Sequence, residues 1–467
     1  MILEAEIVVI GGGPAGAVIA LRLLQLGHDV LLITRSSLPR SFTRETFTPA
    51  VADLLAFLDL EDALNGVLTH TITETEIRWH TDRYELYTPA KAGLLANRSA
   101  FDSHLLATVA HCGVNVQTVD VRSVRRIENR WCLAGEGRIG PVTLIPRVVV
   151  DATGRRGLLP KRRCRDAPLL ALSGRWRGSG LPAHVRVTTG DHFWAWGAPA
   201  EDHTYDATLF LDPHELKEGR GSLDQRYHTR VRASGLLDRA RRADLAGSVQ
   251  ARDATPYVDV NAASVDFLKV GDACATVDPL SSAGVQIAMQ SGLSGAIAVH
   301  TLRHDPAANE LIRTFWSSEI VRRASRHTAW SAEFYREGAK HFDTPFWRSR
   351  AGFAGNDTLV ANRTNHEPLP KPDQMLQLSE LLNFSDAPCI VGNIVERRRI
   401  ITHPSLSEPL AFLDGVDLPA LLARISPGMK ATAVLNLWSN EVDLSRSIEI
   451  LSWIWRHGII QPLYVIR

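Results

Sequence analysis

The chain has 467 residues, of which 45% are apolar and 22% charged, and its formal net charge is +1. This length accommodates two or three domains with sizeable cores. The near-neutral balance argues against nucleic acid or an anionic membrane as partner, and no run approaches the ~20 apolar residues of a membrane-spanning helix.

Five scattered cysteines without a CxxC pair (Cys112, Cys132, Cys164, Cys274, Cys389) argue against a disulfide framework or a zinc site. A cytoplasmic protein without a metal is therefore expected.

The first predicted strand, IVVI (Ile7 to Ile10), is fully apolar, as a buried parallel strand requires. Glu4 and Glu6 precede it where a secretory signal would carry basic residues. The run enters GGGPAG, in which Gly11, Gly13 and Gly16 stand in GxGxxG register around Pro14 and Ala15. A helix closing at Gly27 and a second strand, DVLLIT, complete a βαβ unit. The glycines give a tight turn, close approach of backbone to a pyrophosphate, and close helix–strand packing. The helix N-terminus then offers free N–H groups and its dipole to the phosphates. The acid that usually ends the second strand and holds a ribose is replaced by Thr34, followed by Arg35 as a candidate cofactor contact. This segment alone does not separate NAD from FAD.

LLANRSAFDSHLL (Leu94 to Leu106) places Arg98 four residues before Asp102 on a predicted helix, a spacing that also makes a simple helical charge pair. VVVDATGRRG (Val148 to Gly157) is a strand and turn leading into a basic run: Arg155, Arg156, Lys161, Arg162, Arg163 and Arg165. A solvated loop is the expected state of that run, with a docking patch for acidic groups or phosphates as the alternative. HFWAWGAP (His192 to Pro199) is predicted as a strand whose alternation sets Trp194 and Trp196 on one face and Phe193 on the other. In LKVGDACATVDPLSSAGVQIAMQSG (Leu268 to Gly292) a strand ends at Gly271-Asp272 and a helix starts near Gly284. Residues 301–380 are helix-rich, and Trp316, Trp330, Phe334 and Tyr335 recur at near-helical spacing, which reads as packing onto the core. After KPDQ (Lys371 to Gln374) the last ~90 residues read as a separate module with a strand-like segment, a turn and two helices. Arg397, Arg398 and Arg399 lie in it.

GGGPAG, the Arg98 segment, VVVDATGRRG and GDACATVDPLSSAG together resemble the single-FAD aromatic hydroxylases, geranylgeranyl reductases and flavin-dependent halogenases, over about the first 300 residues. The resemblance implies an α/β (α+β overall) fold with a Rossmann-like FAD domain of the aromatic hydroxylase type and a β-sheet substrate domain. It implies FAD as cofactor, with Arg98 beside the flavin and Asp272 on the ribityl chain. Pro279 and the Gly284-Val285 turn would start a helix whose N-terminus stabilises an anionic reduced flavin. O2 becomes the co-substrate, and a flavin hydroperoxide would oxygenate an electron-rich ring or make hypochlorite from chloride.

WAWGAP resembles the W-x-W-x-I-P signature of flavin-dependent tryptophan halogenases, with Phe193 for the leading Gly and Ala198 for Ile. The likeness implies that Trp194 and Trp196 wall the substrate chamber, with Pro199 fixing the turn after them. Two halogenating residues of that family have no counterpart. TITETEIRWH (Thr71 to His80), following RETFTP (Arg44 to Pro49), contains no lysine, and Ser281 of PLSSA stands where the family has glutamate. Oxygenation is therefore the expected chemistry, with Glu45 as candidate acceptor of a ring proton, a helix N-terminal or salt-bridge role being the alternative for that residue. The DG motif of hydroxylases that bind NADPH is absent, so NAD(P)H would act directly through an unrecognised site or through a separate flavin reductase.

The expected domains are residues 1–165 (FAD, with 48–90 on the substrate side), 166–262 (substrate), 263–305 (return to FAD), 306–375 (helical cover) and 376–467. The last resembles the small winged-helix modules that present leader peptides to modifying enzymes. A halogenase-like oxygenase with such a module resembles the flavin monooxygenases that hydroxylate a protein tryptophan during tryptophylquinone biogenesis, as for quinohaemoprotein amine dehydrogenase. That implies a polypeptide partner, an amine dehydrogenase subunit, docking at the C-terminal module. Alternatives are a small-molecule indole or phenol hydroxylase or halogenase, and a non-catalytic FAD-binding DNA regulator.

Overall fold

The computed structural model describes all residues except 1, 4, 36–43, 80, 82, 129, 201–202, 217–220, 239, 241, 353–368 and 464–467. Glu4, His80 at the end of the lysine-free stretch, and 353–368 of the expected helical cover lie outside the described residues. The chain forms two compact units, Met1–Phe353 and Ala354–Arg467.

The first unit opens with β1 (Ile7–Ile10), α1 (Pro14–Gln25) and β2 (Val30–Thr34), the expected βαβ. Next come β3 (Arg44–Phe47), β4 (Thr75–Arg78) and β5 (Gly93–Asn97), the last running straight into α2 (Arg98–His111). They are followed by β6 (Asn115–Ile127), β7 (Val148–Asp151), β8 (Leu170–Arg177), β9 (Val185–Gly190), β10 (Phe193–Ala200) and β11 (Thr204–Leu211). Finally β12 (Phe267–Lys269) leads to α3 (Gly284–His304), the 33-residue α4 (Asn309–His341) and α5 (Pro345–Ala351).

The dinucleotide half is a parallel sheet in the order β6-β2-β1-β7-β12. Its central strands are buried on both faces, which is why they are continuous runs of Val, Ile and Leu. Asp151, fully buried at the end of β7, accepts from the N–H groups of Thr153, Leu158 and Leu159 and so ties down the turn after the strand. Helices α1 and α3 run side by side in the same direction. Small residues allow the approach: a Cβ on Gly292 would lie 2.8 Å from the Ala15 carbonyl oxygen.

The second half is an eight-stranded sheet in which β8, β11, β10 and β9 are antiparallel and β4 pairs in parallel with β9. The segment 48–90 thus contributes β4 to this sheet. Along β10 the alternation places Phe193 and Ala195 against Trp176, Tyr205 and Leu209. Trp194 and Trp196 face Trp79, Phe210, Tyr335 and Trp347 on the other side.

The basic run is solvated in part: Arg156, Lys161, Arg162 and Arg165 are exposed, whereas Arg155 and Arg163 are partly buried. Arg155, Arg163 and Arg165 gather about the Tyr257 ring at 5.4, 4.1 and 5.8 Å, within reach of cation–π attraction. The Tyr257 hydroxyl donates to the Asp272 carbonyl, so these charges support the chain at the cofactor side rather than forming a separate patch.

The second unit contains β13 (Met375–Leu378), a hairpin of β14 (Asn383–Val391) and β15 (Ile394–Thr402), α6 (Leu418–Leu422), α7 (Ala431–Trp438), α8 (Leu444–Arg456) and β16 (Ile460–Pro462). Helix α7 is absent from the sequence-based expectation of two helices. Its eight residues contribute Val434 and Trp438 to a core shared with Leu421, Ile450 and Ile454. Arg397, Arg398 and Arg399 are exposed on β15. Among the described residues no helix is long and apolar enough to cross a membrane.

Candidate functional site

The glycine loop is built as its spacing demands. Gly11 has φ 118°, and a Cβ there would collide with the Ala152 carbonyl; a Cβ on Gly16 would collide with the Gly11 carbonyl oxygen. Gly13 is the N-cap of α1, has no side-chain cap, and has nothing within 4 Å of where a Cβ would stand. Pro14 occupies the first helical position, and Ala15 is buried beneath the loop. Thr34 stands beside Gly12, and Arg35 follows it, exposed.

On the opposite flank Gly271 adopts φ 57° and approaches α1 so closely that a Cβ would lie 2.8 Å from the Cβ of Ala15. Asp272 is thereby fixed near the N-terminal end of α1. Asp278 accepts from Leu280 N–H at 2.9 Å and caps the turn Pro279–Ser281. Ser282 then takes φ 49° and α3 begins at Gly284, again with no side-chain cap and open space around Gly284, while Val285 is buried. Two uncapped helix N-termini, an adjacent carboxylate and two open glycine positions form a cradle that fits an FAD pyrophosphate, ribityl chain and flavin edge.

Arg98 lies at the start of α2 between two carboxylates. Its Nη1 donates to Glu45 Oε2 at 2.7 Å and its Nε to Asp102 Oδ1 at 2.9 Å. Burial alone would lower the guanidinium pKa, but Glu45 and Asp102 outweigh it and hold the group above its ordinary value. The helical pair foreseen at i, i+4 is present, and Glu45 is recruited to it from β3. One oxygen of Glu45, the candidate proton acceptor, is therefore engaged by Arg98.

Trp194 is sealed in the protein, 2% exposed, and stacks on Phe210 with ring centroids 3.9 Å apart. Its Nε1 donates to the Tyr335 hydroxyl at 3.0 Å, which donates to Asp278 Oδ2 at 2.9 Å. Burial pushes the Asp278 carboxyl above its ordinary range against the pull of the Leu280 N–H and the Tyr335 hydroxyl. Trp196 is partly exposed and bridges this layer to Ile72, Leu95 and Val185. In the lysine-free stretch Trp79 is buried, donating Nε1 to the Phe334 carbonyl at 3.0 Å and meeting Trp347 edge-on. Tyr335 thus does more than pack, whereas its helix neighbours Trp330 and Phe334 remain over a third exposed.

The comparisons agree with this geometry. A family model described as lycopene cyclase protein matches residues 6–167, the βαβ unit through the strand and turn at Asp151. The tryptophan 2-halogenase of Chondromyces crocatus is 28% identical over 329 residues, 64% of this chain and 62% of that enzyme's length. The flavin-dependent halogenase armH5 of Armillaria mellea is 25% identical over 90% of this chain and 91% of its own. Among solved structures, the peptidyl tryptophan dihydroxylase QhpG, described as essential for tryptophylquinone cofactor biogenesis, superposes with a TM-score of 0.78 at 23% identity, covering 98% of this chain and 100% of its own. In sequence the chain is thus similar to flavin-dependent halogenases, and in fold to the peptidyl tryptophan dihydroxylase.

Within this halogenase-like scaffold, sequence reasoning located both glycine turns that start α1 and α3 and the tryptophan strand, but not the hydrogen-bond path from that strand to Asp278. Asp278 stands immediately before the PLSSA segment, and its capping role in an Asp-Pro turn was the available signal. No local signal could link it to Tyr335, 57 residues further along the chain.

Proposed function

We propose that this chain is an FAD-dependent monooxygenase that hydroxylates, in two rounds, one tryptophan side chain held in a polypeptide during biogenesis of a tryptophan-derived quinone. The observation that carries the reading is the whole-chain similarity to the peptidyl tryptophan dihydroxylase, which extends over the second unit as well as the first. The lysine-free stretch Thr71–Trp79 and Ser281 in the glutamate position support oxygenation over halogenation.

The chemistry that bound FAD supplies is two-electron activation of O2 for transfer of one oxygen atom. Each round converts one indole C–H to C–OH, consumes one O2 and one NAD(P)H with a proton, and releases water. NAD(P)H serves directly or through a separate flavin reductase. The chain's own residues have four tasks. The N–H groups at Gly13 and Gly284-Val285, together with Asp272 and Arg98, hold the cofactor. Trp196 borders the substrate, braced by Trp194 and Tyr335. Glu45 takes the ring proton. The second unit, with Arg397 to Arg399 on its hairpin, holds the polypeptide, an amine dehydrogenase subunit being the expected partner.

The test is mass spectrometry of a candidate partner polypeptide after co-expression. A gain of one or two oxygen atoms on a single tryptophan supports the proposal. An unmodified polypeptide alongside turnover of free indoles favours the second reading, a small-molecule enzyme, which the similarity to a tryptophan 2-halogenase supports.

A further inference from the structure

Judged on its cysteines the chain is expected to hold no metal, yet the fold gathers three histidines from distant segments. Among the described residues, His28, His300 and His304 each present a ring nitrogen within 4.8 Å of the other two. We propose that these three imidazoles form a binding site for one divalent cation of borderline softness, with zinc as the reference ion, which clasps the C-terminal ends of α1 and α3.

The backbone fixes the three rings independently. After α1, the N–H of Gly27 bonds to Leu24 O, Gly27 takes φ 85°, and the N–H of His28 bonds back to Leu23 O at 3.1 Å. This helix-terminating pattern pins the His28 backbone. His300 and His304 are one turn apart at the end of α3, the i, i+4 spacing that sets two imidazoles on one helix face. Because α1 and α3 run parallel, both negative dipole ends point at the cluster and favour a cation there. The site lies roughly 20–30 Å from the helix N-termini that cradle FAD, from the rise of 1.5 Å per residue.

The ring contacts suit ligation. His28 Nε2 and His300 Nδ1 face each other at 2.9 Å. A tetrahedral ion at 2.0–2.1 Å from each would need about 3.3 Å between them, a small adjustment. His304 Nδ1 bonds to the His300 carbonyl at 3.0 Å, which directs its other nitrogen outward as the ligand. Glu6 Oε2 lies 3.8 Å from His28 Nδ1, the position of a carboxylate that orients a metal-bound imidazole. Arg22 and Arg303 oppose a cation here, but Arg303 is held on Glu6 at 2.6 Å. Three nitrogen donors with an open fourth position select zinc, nickel or copper over magnesium or calcium.

The experiment uses untagged, FAD-loaded full-length protein, stripped with chelator and titrated with zinc sulfate by calorimetry and by thermal unfolding. One equivalent of zinc per chain and a zinc-dependent rise in Tm are expected. His300→Ala and His304→Gln should each weaken binding by at least about 10-fold, whereas His111→Ala, outside the cluster, should not. His304 is exposed, so its variant keeps the fold, and retained FAD absorbance verifies this. Substoichiometric binding, or binding unchanged in His304→Gln, overturns the proposal.

Discussion

The indole N–H of Trp194 on β10 donates to the hydroxyl of Tyr335 on α4 at 3.0 Å, and that hydroxyl donates onward to Asp278 at 2.9 Å. The contact ties the substrate-side sheet to the turn that starts α3, so both sides of the site share one rigid polar path. Tyr335→Phe keeps the ring and leaves a buried indole N–H and a buried carboxylate without this partner. Loss of about 1–3 kcal/mol of stability is expected, read as a lowered urea midpoint at unchanged m-value. An unaltered midpoint would refute the idea that the path stiffens the site.

Asp278 adds a pH signature. Burial raises its folded-state pKa above the ordinary 3.8, so the native state binds this proton more tightly than the unfolded chain does. The associated stabilisation is present below the ordinary value and is lost as pH rises through the folded-state value. The stability of the native protein minus that of Asp278→Asn should therefore fall with rising pH above about 3.8 and then level off. Denaturant unfolding of both proteins across the acidic range measures the difference, and a flat difference would be incompatible with the shift.

The two glycines that flank Pro14 and Ala15 should fail differently. Gly16→Ala would drive a methyl into the Gly11 carbonyl and should destabilise the protein with or without FAD. Gly13→Ala meets no protein atom within 4 Å and has ordinary backbone angles. Its Tm without FAD should stay near that of the native protein, while FAD affinity falls because the methyl occupies the space of the pyrophosphate. Cofactor titration by flavin fluorescence, paired with thermal unfolding, separates the two outcomes. Full FAD affinity in Gly13→Ala would remove this loop from the phosphate site.

The parallel sheet, the glycine loop and the two faces of HFWAWGAP were legible because each is written in a local pattern: an apolar run, a fixed glycine spacing, a period of two. The Arg98–Asp102 pair was legible for the same reason. What escaped was every relation between segments distant in sequence. Arg155, Arg163 and Arg165 read locally as a solvated run because Tyr257, the ring that collects them, lies about ninety residues on. Asp278, the Glu45 arm of the Arg98 pair and the histidine cluster were hidden for the same reason. The cysteine count bore only on thiolate metal sites and carried no information about imidazoles brought together by parallel helices.

Glu45 and Arg98 offer a test of whether the carboxylate serves chemistry or only the ion pair. Glu45 is 38% exposed on its side chain, so the pair itself contributes about 1 kcal/mol or less. If Glu45 takes the ring proton, Glu45→Gln should lower kcat on the order of 100-fold with FAD retained and Tm little changed. A variant of normal kcat would restrict Glu45 to positioning Arg98.

The two tryptophans of β10 should separate structure from substrate contact. Trp194 is 2% exposed, stacked on Phe210 and hydrogen-bonded, so Trp194→Ala opens a cavity and removes the donor to the Tyr335 hydroxyl. A loss of about 3–5 kcal/mol is expected, and activity lost with it says little about the chamber. Trp194→Phe keeps most of the packing and should cost less. Trp196 is partly exposed and makes a cleaner probe. Trp196→Ala should leave FAD bound and the fold intact while raising KM for the polypeptide or changing which indole carbon receives oxygen. Peptide mapping of the product together with steady-state kinetics reads both effects. Unchanged KM and an unchanged hydroxylation pattern would place Trp196 away from the substrate and leave the W-x-W motif a packing device.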